Sequence, residues 1–269
     1  MSELDDRLEL AVAIAMEASA IPRQHFFDKG LVVERKADDS PVTRADTDTE
    51  VLLRNRIEVA CPGDAINGEE FPSKEGTTGF KWHLDPIDGT ESFIRGVPLF
   101  GTMVALQHGD EAVMGVIAFP ALGEIIYAAK GSGAWWATNA DAARGIHDLD
   151  RRAAKVSTTA DLADAALAYG GLELFAQLGM NDGFSRLLAK AKLSRGWSDC
   201  YGHYLVATGR IDVMLEPEMH IWDNAPLLPI ITEAGGTFTD LSGNPVIDGG
   251  NGLSTNGLLH DAVLSEWRG

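Results

Sequence analysis

The chain has 269 residues, with 40 acidic side chains against 22 basic ones and a formal net charge of −18. That balance argues against a nucleic-acid partner, whose phosphates need Lys and Arg, and against an anionic membrane surface. With 45% hydrophobic residues the chain is globular, and at this length it buries roughly three quarters of its unfolded surface, as one large domain or two lobes.

Cys61 and Cys200 are too few for a disulfide framework and suit a reducing cytosol. No apolar run is long enough to span a bilayer. Leu10 to Met16 is apolar, and Ala18-Ser19-Ala20 resembles a signal-peptide cleavage site. The flank is wrong, because Glu3, Asp5, Asp6 and Glu9 outweigh Arg7 where positive charge is required. A mature cytoplasmic protein is expected.

Leu4, Leu8, Ala11, Val12 and Ala15 recur at helical spacing and predict a helix over 3–20, ended before Pro22. A second helix is expected over 47–60, opened by a capping box at Thr47-Asp48-Thr49-Glu50 and stopped by Pro62-Gly63. Short strands are expected at Ala65–Asn67 and Lys81–Leu84. Apolar runs at Thr102–Leu106, Val113–Phe119, Ile125–Ala129 and Ala134–Trp136 alternate with turn residues and predict an antiparallel meander. Residues 140–153 are polar and aperiodic, which makes them the expected linker between lobes 1–139 and 154–269. Beyond it come a helix at Asp199–Thr208, a strand at Ile211–Leu215, and a helix at Asn224–Ala234 with Pro226 in its first turn. A strand at Thr237–Thr239 and a helix at Leu258–Trp267 complete a layered α and β arrangement in two lobes.

The most informative stretch is Leu84-Asp85-Pro86-Ile87-Asp88-Gly89-Thr90. Two carboxylates at the tip of a strand offer hard oxygen ligands for Mg²⁺, and Gly89-Thr90 offers backbone N–H groups to a phosphate. The alternative is an Asx-turn in which both acids only cap. Gly68-Glu69-Glu70 lies upstream and Trp222-Asp223-Asn224-Ala225-Pro226 downstream. Read singly, Glu69 is a solvated surface acid and Asp223 a helix N-cap. With Thr47 capping the second helix, the carboxylate of Asp46 is left for other work.

Together these segments resemble the inositol-monophosphatase superfamily of Mg²⁺-dependent phosphatases. The matching signatures are Gly68-Glu69-Glu70, Asp85-Pro86-Ile87-Asp88-Gly89-Thr90 and Trp222-Asp223-x-Ala225-Pro226, with Asp46 following Ser40-Pro41-Val42-Thr43. The resemblance implies an α+β layered (αβαβα) sandwich of two lobes, a homodimer, and two or three Mg²⁺ per active site. It implies that Glu69, Asp85 and the carbonyl of Ile87 hold one ion. Asp85, Asp88 and Asp223 would hold a second, and Glu69 would touch a third through water. It implies that Thr90, paired with Asp46, orients and deprotonates a water, and that the N–H groups of Gly89 and Thr90 bind the phosphate. Elementary electrostatics agrees, since five bare carboxylates would repel a phosphate ester unless divalent ions reversed the local sign.

The segment Asp199-Cys200-Tyr201-Gly202-x-x-Leu205-Val206-Ala207-x-Gly209, followed by Glu216-Pro217, resembles the histidinol-phosphate phosphatases of that superfamily. So does Glu91-Ser92-Phe93-Ile94-x-Gly96-x-Pro98. Asp199 and Glu216 can accept hydrogen bonds from a cationic amine or imidazole, which an inositol ring lacks. Asp199 also reads as an N-cap, and Glu216 as a strand-end surface acid. The expected function is hydrolysis of L-histidinol phosphate in histidine biosynthesis. The alternatives are an inositol-1-phosphatase or broader sugar- or nucleotide-phosphate phosphatase, and a metal-binding scaffold with a dead site. Cys200 is expected to be a buried small apolar residue. Trp197, Tyr201 and Tyr204 either line the pocket or pack the core.

Overall fold

The computed structural model describes residues 3–140, 145–197 and 199–269. Helix α1 (Glu3–Ala18) is followed by α2 (Ala20–His25), so the expected first helix is broken after Ala18 and runs on past Pro22. Pro22 sits in the first turn of α2, where its missing N–H costs no hydrogen bond. A two-stranded hairpin, β1 (Val33–Arg35) and β2 (Pro41–Thr43), leads into α3 (Arg44–Ala60).

Helix α3 opens three residues before the expected start. Thr43 is its N-cap, accepting from the Ala45 N–H at 3.1 Å, and Asp46 returns the bond to Thr43 N–H at 2.8 Å. Two capping boxes stand in tandem, Thr43-x-x-Asp46 and Thr47-x-x-Glu50, and the chain uses the first. The inference that Asp46 is spared from capping is therefore wrong.

A seven-stranded sheet follows. It holds β3 (Ala65–Gly68), β4 (Phe80–Asp88), β5 (Gly101–His108), β6 (Glu111–Phe119), β7 (Glu124–Ala129), β8 (Ala134–Thr138) and β9 (Arg152–Ala153) in sequence order. A short α4 (Thr90–Ile94) stands between β4 and β5. β3 is parallel to β4 and every later pair is antiparallel, so the expected meander is present. β9 falls inside the expected linker and pairs with β8. Residues 141–144 of that linker lie outside the described residues.

The remaining chain forms β10 (Ala166–Tyr169), α5 (Leu172–Gln177), α6 (Asn181–Lys190), β11 (Leu193–Arg195), α7 (Asp199–Ala207) and β12 (Val213–Glu216). Then come α8 (Ile221–Glu233), β13 (Thr237–Thr239), β14 (Gly252–Thr255) and α9 (His260–Arg268). Its five strands order as β11-β10-β12-β14-β13.

Period-two alternation sorts the strands' side chains into separate cores. Val104, Leu106, Met114, Val116 and Ala118 pack with Val12, Ile14, Leu53 and Ile57 of α1 and α3. Met103, Ile117 and Phe119, from the opposite face, pack with Tyr204 of α7 and Leu227, Ile230 and Ile231 of α8. On the other side of the second sheet, Val213, Leu215 and Leu253 meet Phe175, Phe184 and Val263 of α5, α6 and α9. The layers run helix, sheet, helix, sheet, helix. Among the described residues no helix is long and apolar enough to cross a membrane.

Helix α8 is the central slab. It begins at Ile221, so Pro226 and Pro229 are internal, not in the first turn. An internal proline costs roughly 3 kcal/mol in an isolated helix. Burial of Leu227, Ile230 and Ile231 between two sheets opposes this at roughly 2 kcal/mol each. The approach to β6 is so close that a β-carbon on Gly115 would lie 2.1 Å from the carbonyl oxygen of Pro226. α8 is thereby held against the sheet whose strand β4 carries Asp85 and Asp88.

Candidate metal centre and active site

In a regular strand, residues three apart face opposite sides of the sheet. Asp85 pairs with Met103 and Asp88 with Gly101, so three steps on β4 oppose two on β5. This β-bulge restores the parity and turns both carboxylates to one side. Pro86 occupies the bulge, where no ladder donor is required, and its carbonyl accepts the buried Thr102 hydroxyl at 2.9 Å.

Asp223 joins them from the first turn of α8. It is not the N-cap: His220 holds that place, and Asp223 Oδ2 accepts the His220 N–H at 2.7 Å from the third helical position. One oxygen each from Asp85, Asp88 and Asp223 lie within 4.8 Å of one another. Burial pushes all three carboxyls up, Asp88 and Asp223 to about 7 and Asp85 well above its ordinary value. Mutual repulsion and the charge of Glu69 add to it. Asp85 Oδ1 is buried with no hydrogen-bond partner. Converging hard oxygens and an unsatisfied buried carboxylate fit a divalent cation of the Mg²⁺ kind.

Glu69 follows β3, and its N–H donates to Leu84 O at 3.1 Å, which sets it beside β4. It is not a solvated surface acid. Lys36, from the β1–β2 turn, donates to Glu69 Oε1 at 2.6 Å and to Glu70 Oε1 at 2.7 Å. Burial disfavours the charge on Lys36, but the two carboxylates outweigh it and hold its pKa above the usual range. Burial lifts Glu70 to about 7 against the pull of Lys36, with Glu69 adding to the rise. Lys36 was invisible to motif reasoning, because a lone Lys before Ala-Asp-Asp-Ser reads as a surface turn.

The Thr90 hydroxyl donates to the Ile87 carbonyl at 2.9 Å and lies 3.5 Å from Asp46 Oδ1. It has one proton, so the Ile87 bond dominates and Asp46 is at the edge of reach. Asp46 is fully buried, and burial lifts it to about 6 although the Thr43 hydroxyl and N–H oppose the shift.

Asp88 Oδ2 accepts the Cys200 N–H at 2.6 Å, which ties the start of α7 to the metal motif. Cys200 is buried as expected. Asp199, at the first position of α7, adopts φ +58°, a left-handed conformation costly for a non-glycine residue. Ser198 lies outside the described residues. Glu216, at the end of β12, is buried, not a surface acid, and its Oε2 has no hydrogen-bond partner. Burial first, then Asp199, Asp88 and Asp223, pushes its pKa well up. Asp88, Asp199, Glu216, Glu218 and Asp223 line one cavity of about 50 Å³. Tyr204 is core, while Trp197 and Tyr201 pack at the core's edge.

The sequence matches the inositol monophosphatase family over residues 3–268. It is 38% identical to a histidinol-phosphatase of Streptomyces coelicolor over 268 residues, covering 98% of this chain and 97% of the relative. It is 39% identical to a histidinol-phosphatase of Chlorobaculum parvum, covering 91% and 90% of the two. The fold is similar to an inositol monophosphatase from Zymomonas mobilis, at 29% identity and TM-score 0.83 over the whole of both chains. It is also similar to the extragenic suppressor protein SuhB from Bartonella henselae, at 26% identity and TM-score 0.87 over 98% of each.

Proposed function

The chain belongs to the inositol monophosphatase family, and on that premise we propose that it hydrolyses L-histidinol phosphate to L-histidinol and inorganic phosphate. Glu69, Asp85, Asp88, Asp223 and the carbonyl of Ile87 would hold divalent cations, with Mg²⁺ favoured by the all-oxygen donor set. When bound, such ions lower the pKa of water and neutralise phosphate charge.

The chain's own residues do the rest. Thr90 orients the attacking water; once its hydroxyl turns from the Ile87 carbonyl to Asp46 Oδ1, Asp46 is suited by its raised pKa to receive the proton passed through it. The water oxygen bonds to phosphorus, the ester P–O bond breaks, and the leaving alkoxide takes up a proton from a second water, whose loss is made good when Asp46 releases its proton to solvent. The backbone N–H groups of Gly89 and Thr90 bind the phosphate oxygens. A homodimer and histidine biosynthesis complete the reading on the strength of the family resemblance, and the cytoplasm on that of the acidic N-terminal flank and the two cysteines.

The observation that carries the substrate is the pairing of Asp199 with Glu216 in one cleft beside Asp88. A cationic amine or imidazole beside these two acids would restore the charge that burial denies Glu216, and a polyol offers no such group. The test is phosphate release from L-histidinol phosphate and inositol 1-phosphate under identical Mg²⁺. The expected result is a kcat/KM at least tenfold higher for the histidinol ester. Comparable or faster turnover of the inositol ester would move the protein to a broader sugar- or inositol-phosphate phosphatase.

A further inference from the structure

Glu50 and Arg54 lie one turn apart on α3, outside every motif that carries the proposed site. Glu50 is fully buried, a costly place for a carboxylate unless its charge is used. Its Oε1 accepts Arg54 Nε at 2.6 Å and its Oε2 accepts the backbone N–H of Glu70 at 2.7 Å. Arg54 donates through its other nitrogen to the carbonyl of Phe71 at 2.9 Å. One ion pair thus grips the backbone of two consecutive residues, Glu70 and Phe71, of the turn that presents Glu69. The grip requires Gly68, because a β-carbon there would lie 2.1 Å from Glu50 Oε1. The far side of the turn is held by Lys36 through the Glu69 and Glu70 carboxylates.

We propose that Glu50 and Arg54 are positioning residues that seat the Gly68–Phe71 turn and thereby set the affinity of the acidic pocket for its divalent cation. The inference rests on the metal-site reading given above. Residues that orient metal ligands from behind commonly change metal affinity ten- to a hundredfold when replaced.

The test measures Mn²⁺ binding to the purified full chain by calorimetry, alongside melting and the Mg²⁺ dependence of phosphate release. Glu50→Ala and Gly68→Ala should each raise the Mn²⁺ Kd about tenfold. The Mg²⁺ needed for half-maximal activity should rise in step, while kcat at saturating Mg²⁺ stays within about threefold of wild type. Glu50→Gln keeps an acceptor for Glu70 N–H but turns its NH2 toward Arg54, so it should recover only part of the affinity and fall between wild type and Glu50→Ala. If Glu50→Ala does not fold, Arg54→Met, Gly68→Ala and Glu50→Gln decide the matter. Folded Gly68→Ala and Arg54→Met proteins with wild-type Mn²⁺ affinity would overturn this inference alone. A wild-type protein that binds no Mn²⁺ would overturn the metal site and this inference with it.

Discussion

Asp199 and Gly89 are made for each other: a β-carbon on Gly89 would lie 2.9 Å from Asp199 Oδ2 and 3.1 Å from the carbonyl of Leu99. Both residues sit in the left-handed region, at φ +82° for Gly89 and φ +58° for Asp199. The turn proposed to bind phosphate and the carboxylate proposed to bind the rest of the substrate are therefore one packed unit. Gly89→Ala should cost roughly 1–2 kcal/mol in backbone strain and displace Asp199. The expected outcome is a kcat/KM for histidinol phosphate at least tenfold lower, with a lower melting temperature, read by kinetics and calorimetry.

Asp199→Ala separates substrate recognition from chemistry. Losing a charge-assisted hydrogen bond costs about 1.5–3 kcal/mol. That predicts a kcat/KM for histidinol phosphate lower by roughly 10- to 150-fold, with p-nitrophenyl phosphate hydrolysis within about threefold of wild type. Equal losses on both esters would show that Asp199 serves the fold or the metal motif, not the substrate.

Thr90→Ala removes the hydroxyl between the Ile87 carbonyl and Asp46. A positioned proton-transfer group contributes typically 10²–10⁴-fold, so kcat should fall by at least about a hundredfold. KM should change little, and Thr90→Ser should restore most of the rate. An alanine variant with more than a tenth of wild-type kcat would remove Thr90 from the proposed mechanism.

The pH dependence of stability follows from the raised carboxyls. Asp46 at about 6 and Asp88 and Asp223 at about 7 all lie above their unfolded values. A raised acid contributes stability while protonated in the fold, and that contribution is lost as pH climbs through the folded pKa. Under chelation the melting temperature should therefore fall between about pH 6.5 and pH 8, above the range in which buried His203, pushed down to about 3, adds stability as pH rises. Saturating Mg²⁺ should offset the fall, by about 2.7 kcal/mol at a hundredfold excess over Kd. A chelated protein whose melting temperature rises across that window would contradict this account of the pocket.

Glu69, Asp85 and Asp88 are legible because each stands beside Gly or Pro, which mark turns in any sequence, and Asp223 because it opens a helix three residues before Pro226. The meander was legible through its alternating apolar runs. The start of α3 is not fixed by the sequence because two capping boxes stand in tandem, and the helix opens at the first, capped by Thr43. β10 and β14 escaped notice, since Ala166-Leu167-Ala168-Tyr169 and Gly252-Leu253-Ser254-Thr255 are four residues long and lack alternation. Lys36 and Arg54 carry no motif signal, and the one local signal at Glu50 is a capping box that the chain does not use, because their site-facing partners lie 17 to 34 positions away.

The most direct measurement is phosphate release from L-histidinol phosphate before chelation, after exhaustive chelation, and after Mg²⁺ is returned. Buried carboxylates that need a cation to approach a phosphate predict a loss of at least a hundredfold and near-complete recovery. Turnover that persists unchanged in the chelated protein would contradict the account at its centre.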